Sequence, residues 1–300
     1  VRYFLEVVRC GSVTEAASRL NVSPSAVSRQ VAILEDLLEV PLFDRRPRGM
    51  VPSAAGELLA VHAQRTAMDA DRVVSDIQAL GGVQRGRVRI ASSSGFASGF
   101  LPRTIVAWRS RYPEVTFDLQ VGNAAQVTAA LLQGDADIGL TFSRTPVRDI
   151  RVEYRLPESV YAVMRPDHPL ARFRTVTLAQ MHPYPLALTE EGNTVRQLFD
   201  IACSERGLVF EPVFTANRFE SLVNFVLYGG GLIISGEITV RDRVSRGELH
   251  AAEIREPGMR NRAVEVHTML GRTLPAVVTG FLEFLRAELP IPSADRSSER

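Results

Sequence analysis

Ser12 to Arg46 reads SVTEAASRLNVSPSAVSRQVAILEDLLEVPLFDRR, and no other stretch constrains the fold as tightly. Ser12 and Glu15 have the S-x-x-E spacing of a capping box, which satisfies free amides at a helix start. Ala16, Ala17 and Leu20 then give a small apolar face against which a second helix can lie close. Asn21-Val22-Ser23 interrupts the helix; Ser23 can cap the next one, and Pro24 suits its first turn. Val27, Val31, Leu34 and Leu38 recur at helical spacing and predict a buried stripe. Ser25, Ser28, Arg29 and Ala32 are left on the opposite face. Pro41-Leu42-Phe43 predicts an apolar strand, and Arg45, Arg46 and Arg48 stand on the Pro/Gly turn that follows. Two short helices, a tight polar turn and an arginine-bearing hairpin make a winged helix-turn-helix. A helix that is small and hydroxylated at its N-terminal end fits a major groove about 12 Å wide. Arginines on the wing suit phosphates or a minor groove. The candidate DNA contacts are therefore Ser23, Pro24, Ser25, Ser28, Arg29, Arg45, Arg46 and Arg48.

Charge does not announce this role. The 300 residues carry a net charge of only +1. Residues 1–50 hold seven arginines against six acidic residues, again +1. Affinity for a polyanion must come from where the arginines sit, helped by dimerisation, and not from bulk charge. All 35 basic residues are arginine, which excludes a phosphate-loop lysine, a Schiff-base lysine and a lysine general base. Cys10 and Cys203 fall in different predicted domains, so no structural disulfide is expected, as suits a reducing cytoplasm. No signal peptide or apolar run long enough for a bilayer is present, and no membrane partner is expected.

Ser53 to about Leu80 reads as one long helix. Leu59, Ala63, Thr66, Ala70, Val73, Ile77 and Leu80 alternate at four and three, a heptad seam of small residues suited to close helix pairing. Residues 81–86 (GGVQRG) mark a hinge. Strand and helix then alternate. VRIASS (88–93), VTFDLQV (115–121) and ADIGLTF (136–142) read as strands, with helices at about 100–111 and Ala125 to Leu132. SVYAVMR, PLALT, FEPVFT and GLIISG follow as strands from about Ser159. This alternation predicts parallel α/β sheets. The polar, Pro-broken tail 291–300 predicts disorder.

The opening RYFLEVVRCGSVTEAASRL, the run NVSPSAVSRQVAILEDLLEVPLFDRR and the VPSAAGELL after it resemble the DNA-binding and linker region of the LysR-type transcriptional regulators. Many members carry glutamine after the capping serine, where this chain has Pro24-Ser25, so a residue able to read adenine is missing there. The chain begins without Met and inside what should be the first helix, so leading residues are expected upstream. The resemblance implies a bacterial regulator with a winged domain (1–52), a dimerisation helix (53–80), a hinge (81–86) and a two-lobed α/β effector-binding domain (87–290) like a periplasmic binding protein. Lobe one would be 87–159 plus 266–290, and lobe two 160–265. The implied partners are an imperfect palindrome of double-stranded DNA, a small-molecule effector, a homodimer or homotetramer, and RNA polymerase.

In open α/β sheets ligands bind beyond the carboxyl ends of strands. Applied strand by strand, that rule selects Ser92, Ser93 and Ser94, then Asn123, then Thr141 and Phe142, then Thr189, and finally Asn217, Arg218 and Phe219. Hydroxyls with Arg218 as a carboxylate partner suggest a small carboxylate or polar metabolite. By the resemblance, Ser93 holds the position of a ligand-contacting Ser or Thr. SSSGFASG lacks a nucleophile elbow, and GGG at 229–231 reads as a helix stop. The five histidines show no paired spacing. No catalytic residue, metal ligand or cofactor is assigned, which disfavours an enzyme with an accessory N-terminal domain.

Overall fold

The computed structural model describes residues 1–46, 49–79, 85–143 and 147–289. Arg48, Leu80, most of the expected hinge and the 291–300 tail lie outside them. Helices α1 (Arg2–Cys10), α2 (Val13–Leu20) and α3 (Pro24–Leu38) are followed by the hairpin of β1 (Phe43–Arg46) and β2 (Gly49–Pro52). The Ser12 hydroxyl accepts from the Glu15 amide at 3.4 Å. The reciprocal half of the expected capping box is replaced, because the Glu15 carboxylate turns outward to Arg19 at 2.8 Å. Ser23 accepts from the Ala26 amide at 3.3 Å, and Pro24 opens α3 as expected. Asn21, left-handed at φ 58°, closes α2.

Phe4, Val7, Ala16, Ala17, Val27, Val31, Leu42 and Phe43 form the core of this unit. The buried stripe on α3 is shorter than its spacing suggests: Leu34 is half-buried and Leu38 is 44% exposed. Glu35 explains the end of the stripe. Its carboxylate accepts from the Leu42 amide at 2.7 Å and the Phe43 amide at 3.3 Å, drawing the chain back under α3 before Leu38 can be covered. The wing is clipped to the α1–α2 turn by the Met50 amide, which donates to the Gly11 carbonyl at 2.8 Å. Gly49 has φ 125°, and a Cβ there would sit 2.5 Å from the same carbonyl oxygen. Gly49→Ala is therefore expected to loosen the wing at a cost of about 1–3 kcal/mol. Urea unfolding of the whole chain, read by tyrosine and tryptophan fluorescence beside amide exchange at Met50, measures it.

Helix α4 (Ala54–Ala79) runs from the wing to the next domain. Gly56 passes so close to the Leu42 carbonyl that a side chain would collide with it. The expected heptad seam divides. Leu59 packs against the winged core and Ala63 is buried within the chain. Thr66, Ala70, Val73 and Ile77 face solvent, Ile77 being 61% exposed.

Next come β3 (Gly86–Ser92), α5 (Ser94–Ala97), α6 (Phe100–Arg109), β4 (Val115–Val121), α7 (Ala124–Leu132), β5 (Ile138–Ser143) and β6 (Ile150–Glu158). After a crossing at Ser159 follow β7 (Val160–Met164), β8 (Thr175–Val176), α8 (Leu178–Met181), β9 (Leu186–Thr189), α9 (Thr194–Arg206), β10 (Phe214–Ala216) and α10 (Phe219–Leu227). The chain ends with β11 (Leu232–Gly236), α11 (Glu237–Ser245), β12 (His250–Ile254), β13 (Arg262–Met269) and α12 (Ala276–Glu288). One sheet has the order β4-β3-β5-β13-β6 and the other β10-β9-β11-β7-β12-β8.

The sheets are mixed, not parallel throughout. β3 is parallel to β4 and β5, and β9 to β10 and β11, but β13 runs antiparallel to β5 and β6. β7 likewise runs antiparallel to β11 and β12. The chain crosses between lobes twice, and a strand that arrives from the other lobe enters its new sheet reversed. Because β13 begins at Arg262, residues 262–265 belong to lobe one's sheet and not to lobe two as expected. Each lobe has its own core, built around Phe100, Trp108 and Phe281 in lobe one and around Leu198 and Phe199 in lobe two.

Candidate nucleic-acid interface and interlobe cleft

On α3, Ser23, Pro24, Ser25, Ser28, Arg29 and Ala32 are all exposed, while Val27 and Val31 face the core. Burying one stripe of a helix whose other face is small and hydroxylated leaves a surface free to enter a groove. Ser28 and Ala32 wall a groove of about 510 Å³ between α3 and the hairpin. Arg45 and Arg46 lie on β1, opposite Met50 and Gly49; their side chains, like the whole of Arg48, fall outside what is described.

The second site lies where strand ends of the two sheets face one another. A cleft of about 410 Å³ is walled on one side by Ser94, Asn123 and Gln126 and on the other by Thr189, Asn217 and Arg218. Asn123 and Gln126 form a complete capping box at the start of α7, with bonds of 3.0 and 2.9 Å. Glu190 and Glu191, both at the cleft's edge, share the rim with exposed Arg218.

Behind this cleft is a smaller chamber of about 40 Å³ that shares Ser94, Thr189 and Asn193 with it. Ser93, Phe142, Phe219 and Arg262 line it. Ser93 is bonded through its hydroxyl to Thr141 at 3.2 Å and through its amide to the Leu140 carbonyl at 2.9 Å. Thr141 is buried and outside the lining, so it acts on the chamber only by holding Ser93. Phe142 stacks on Phe96 at 4.5 Å. Its carbonyl accepts from Thr194 of lobe two at 3.4 Å, a bond across the lobes.

Ser92 must be withdrawn from the candidate lining. It ends β3 with its side chain fully buried and lines neither cavity, because the pleat turns it to the sheet's inner face. The strand-end rule also missed Arg262 and Glu158, which stand at the two crossings and not at the end of a parallel strand. Arg262 donates to Glu158 and lies over the Phe142 ring at 4.0 Å. Glu158 also accepts from the Ile238 amide at 3.2 Å, at the start of α11. Burial pushes the Glu158 carboxyl up and the Arg262 guanidinium opposes it. Arg262 stays charged, since a guanidinium does not give up its proton in a protein.

Residues 1–57 match the bacterial regulatory helix-turn-helix protein, lysR family, and residues 81–290 match the LysR substrate binding domain. The chain belongs to the LysR-type transcriptional regulators. It is 30% identical over 264 residues to the HTH-type transcriptional regulator YeiE of Escherichia coli (strain K12), covering 88% of each chain. A full-length OxyR variant from Pseudomonas aeruginosa superposes with TM-score 0.66 at 18% identity, over 100% of this chain and 97% of that one. Full-length CbnR complexed with its target DNA gives TM-score 0.55 at 20% identity, over 96% and 98%. This LysR-type chain is therefore a DNA-binding transcriptional regulator with an effector-binding domain.

Neither cysteine of this LysR-type regulator is set up for thiolate chemistry. Burial pushes the Cys203 thiol up to about 12, and Cys10 is also raised, first by burial and then by its bond to Glu6. Because the thiolate is the reactive form, Cys203 is expected to resist iodoacetamide at pH 8 in the folded protein and to react in urea. Mass spectrometry decides it, and a folded-state rate near that of a free thiol would overturn the assignment. Among the described residues no cluster of metal-ligating side chains forms, and no helix is long and apolar enough to cross a membrane.

Proposed function

We propose that paired winged domains of this regulator grip an imperfect palindrome and that a small polar molecule in the interlobe cleft shifts the equilibrium between assemblies that bend DNA differently. The carrying observation is that the cleft's two walls belong to different sheets, joined by two short crossings, the Thr194–Phe142 bond and the seating of α11 on lobe one, where Arg103 pairs with Asp242 and Glu158 accepts from the Ile238 amide. A ligand touching both walls binds closed and open lobes unequally, and unequal affinity is the only way a ligand moves such an equilibrium. Ser93, Ser94, Asn123, Thr189 and Asn217 supply its polar contacts. The solvent-facing seam of Thr66, Ala70, Val73 and Ile77 is the surface on which a second α4 would pair. On α3, Ser25, Ser28 and Arg29 are the base-edge candidates, and Ser23 with Pro24 shapes the helix start.

A thermal-shift screen of the full chain against organic acids, amino acids and polar metabolites tests the cleft. A ligand at a hundred times its dissociation constant adds about 2.7 kcal/mol. Asn217→Ala, at the exposed rim, should weaken a hit's affinity about tenfold while leaving the unliganded midpoint nearly unchanged. Asn123→Ala should weaken it similarly and also lower the midpoint, because it removes the α7 cap. A stabilising ligand that leaves both footprint and DNA bend unaltered would contradict the proposal.

A further inference from the structure

The smaller chamber holds a buried cation with unused donors. Arg262 has a fully buried side chain, and only its Nη2 has a hydrogen-bond acceptor, Glu158. Its Nε and Nη1 have none among the described residues. The Thr189 hydroxyl is likewise buried without a partner and lines the same chamber. Buried donors left unpaired are costly, and a guanidinium cannot escape by losing its proton. The face of the guanidinium is occupied by Phe142 at 4.0 Å, so its free edge is what the chamber can use. The cavity is about 40 Å³, several times the roughly 10–15 Å³ that one water needs, so it has room for a compact head group. The adjoining 410 Å³ cleft has room for a larger body.

We infer that this chamber seats the oxyanion head of the effector, with Arg262 as the cation that holds it and the Thr189 and Ser93 hydroxyls as its further contacts. This rests on reading the cleft as the effector site, and it moves the anion-recognising role from Arg218 to Arg262. Arg218 is exposed on a rim that also carries Glu190 and Glu191, where water and like charge weaken its hold on an anion. Arg262 is buried, and charge-assisted bonds are stronger where the local dielectric is low. Because Glu158 leads into one crossing and Arg262 follows the other, an anion sharing the guanidinium would bear on both crossings between the lobes.

The test is thermal stabilisation of the full chain by sodium acetate at constant ionic strength, with acetamide as the neutral isostere and sodium sulfate as the tetrahedral arm. Acetate or sulfate should stabilise saturably and acetamide should not; the stronger anion tells whether the head is a carboxylate or an inorganic-type oxyanion. Thr189→Val preserves volume and leaves the Arg262–Glu158 pair intact. It should weaken the apparent anion affinity about tenfold, as should Arg262→Lys. Arg218→Ala should change it less than about twofold. If Arg262→Lys fails to fold, Thr189→Val decides. The inference is overturned if acetamide matches both anions, or if Arg218→Ala abolishes the response while Thr189→Val retains it. Should neutral compounds then still change the DNA footprint, the regulator reading stands and only the anionic head is lost.

Discussion

Replacing Asp137 with asparagine is expected to cost about 3–5 kcal/mol of stability, because it strips the counter-charge from two arginines at once. Asp137 is 1% exposed and sits just ahead of β5. Its Oδ1 accepts from Arg89 Nη2 at 2.7 Å and from Arg272 Nη2 at 2.6 Å, and its Oδ2 accepts from the Arg89 amide at 2.9 Å. Arg89 lies on β3 and Arg272 just beyond β13, so one carboxylate ties together three neighbouring strands of lobe one. Arg272 is itself buried and would be left as an uncompensated charge. In a domain of this size the loss corresponds to a midpoint about 10 °C lower. Burial alone would raise the Asp137 carboxyl, but the hydrogen bonds and charges of Arg89 and Arg272 outweigh it and hold the group below its ordinary value. A depressed carboxyl contributes stability that is complete above its unfolded value, about 3.9, and is lost as pH falls through the folded value. Acid titration should therefore erode the wild-type protein below about pH 4 more steeply than Asp137→Asn. A variant within about 1 kcal/mol of wild type would show that the three strands do not depend on this clamp.

The second large effect belongs to the winged domain. Ser28→Glu places a carboxylate on the exposed face of α3, beside the groove it shares with the hairpin. Losing a base-edge contact costs about 1–3 kcal/mol, and a negative charge among phosphates adds to it, so affinity for cognate DNA should fall about a hundredfold or more. Thermal stability should stay within about 0.5 kcal/mol, because Ser28 is exposed and makes no core contact. Arg29→Ala gives a complementary reading. If Arg29 holds a phosphate, binding weakens evenly across sequences and the salt slope drops by about one; if it reads a base, specificity relaxes at one position. Ser28→Glu binding within about threefold of wild type would remove α3 from the interface.

The winged domain was legible because each of its elements carries a local signal. Ser12, Asn21, Ser23 and Pro24 mark helix ends chemically, and Val27 and Val31 mark the buried side. The parallel strands β3, β4, β5, β9 and β11 were equally legible as apolar runs before turns, and β4 was read to its own ends, Val115–Val121. Of the two strands that arrive from the other lobe, β7 was read within SVYAVMR but β13 was not. Every position of β13 is buried, so no alternation shows, and Arg262, Glu265 and His267 interrupt its apolar character. Their partners are not all local: Glu158 reaches Arg262 from 104 residues away, a pairing no short window contains. Nor could spacing reveal that Leu38 ends outside the core, since Glu35 bonds Leu42 and Phe43 through a turn. For the cleft, the strand-end rule found rim residues such as Asn123 and Asn217 but not the buried Arg262, which faces the chamber from a strand's beginning. Ser92 failed for the opposite reason, being one residue too early along the pleat.

The most direct measurement is selection of bound duplexes from a random-sequence pool by the full chain, followed by sequencing, with Ser28→Glu run in parallel. The account predicts enrichment of two inverted half-sites at a spacing near one helical turn, about 34 Å, or a multiple of it, and no enrichment with the variant. A pool that stays random, or the same sites enriched by Ser28→Glu, would contradict a two-fold regulator reading DNA through α3.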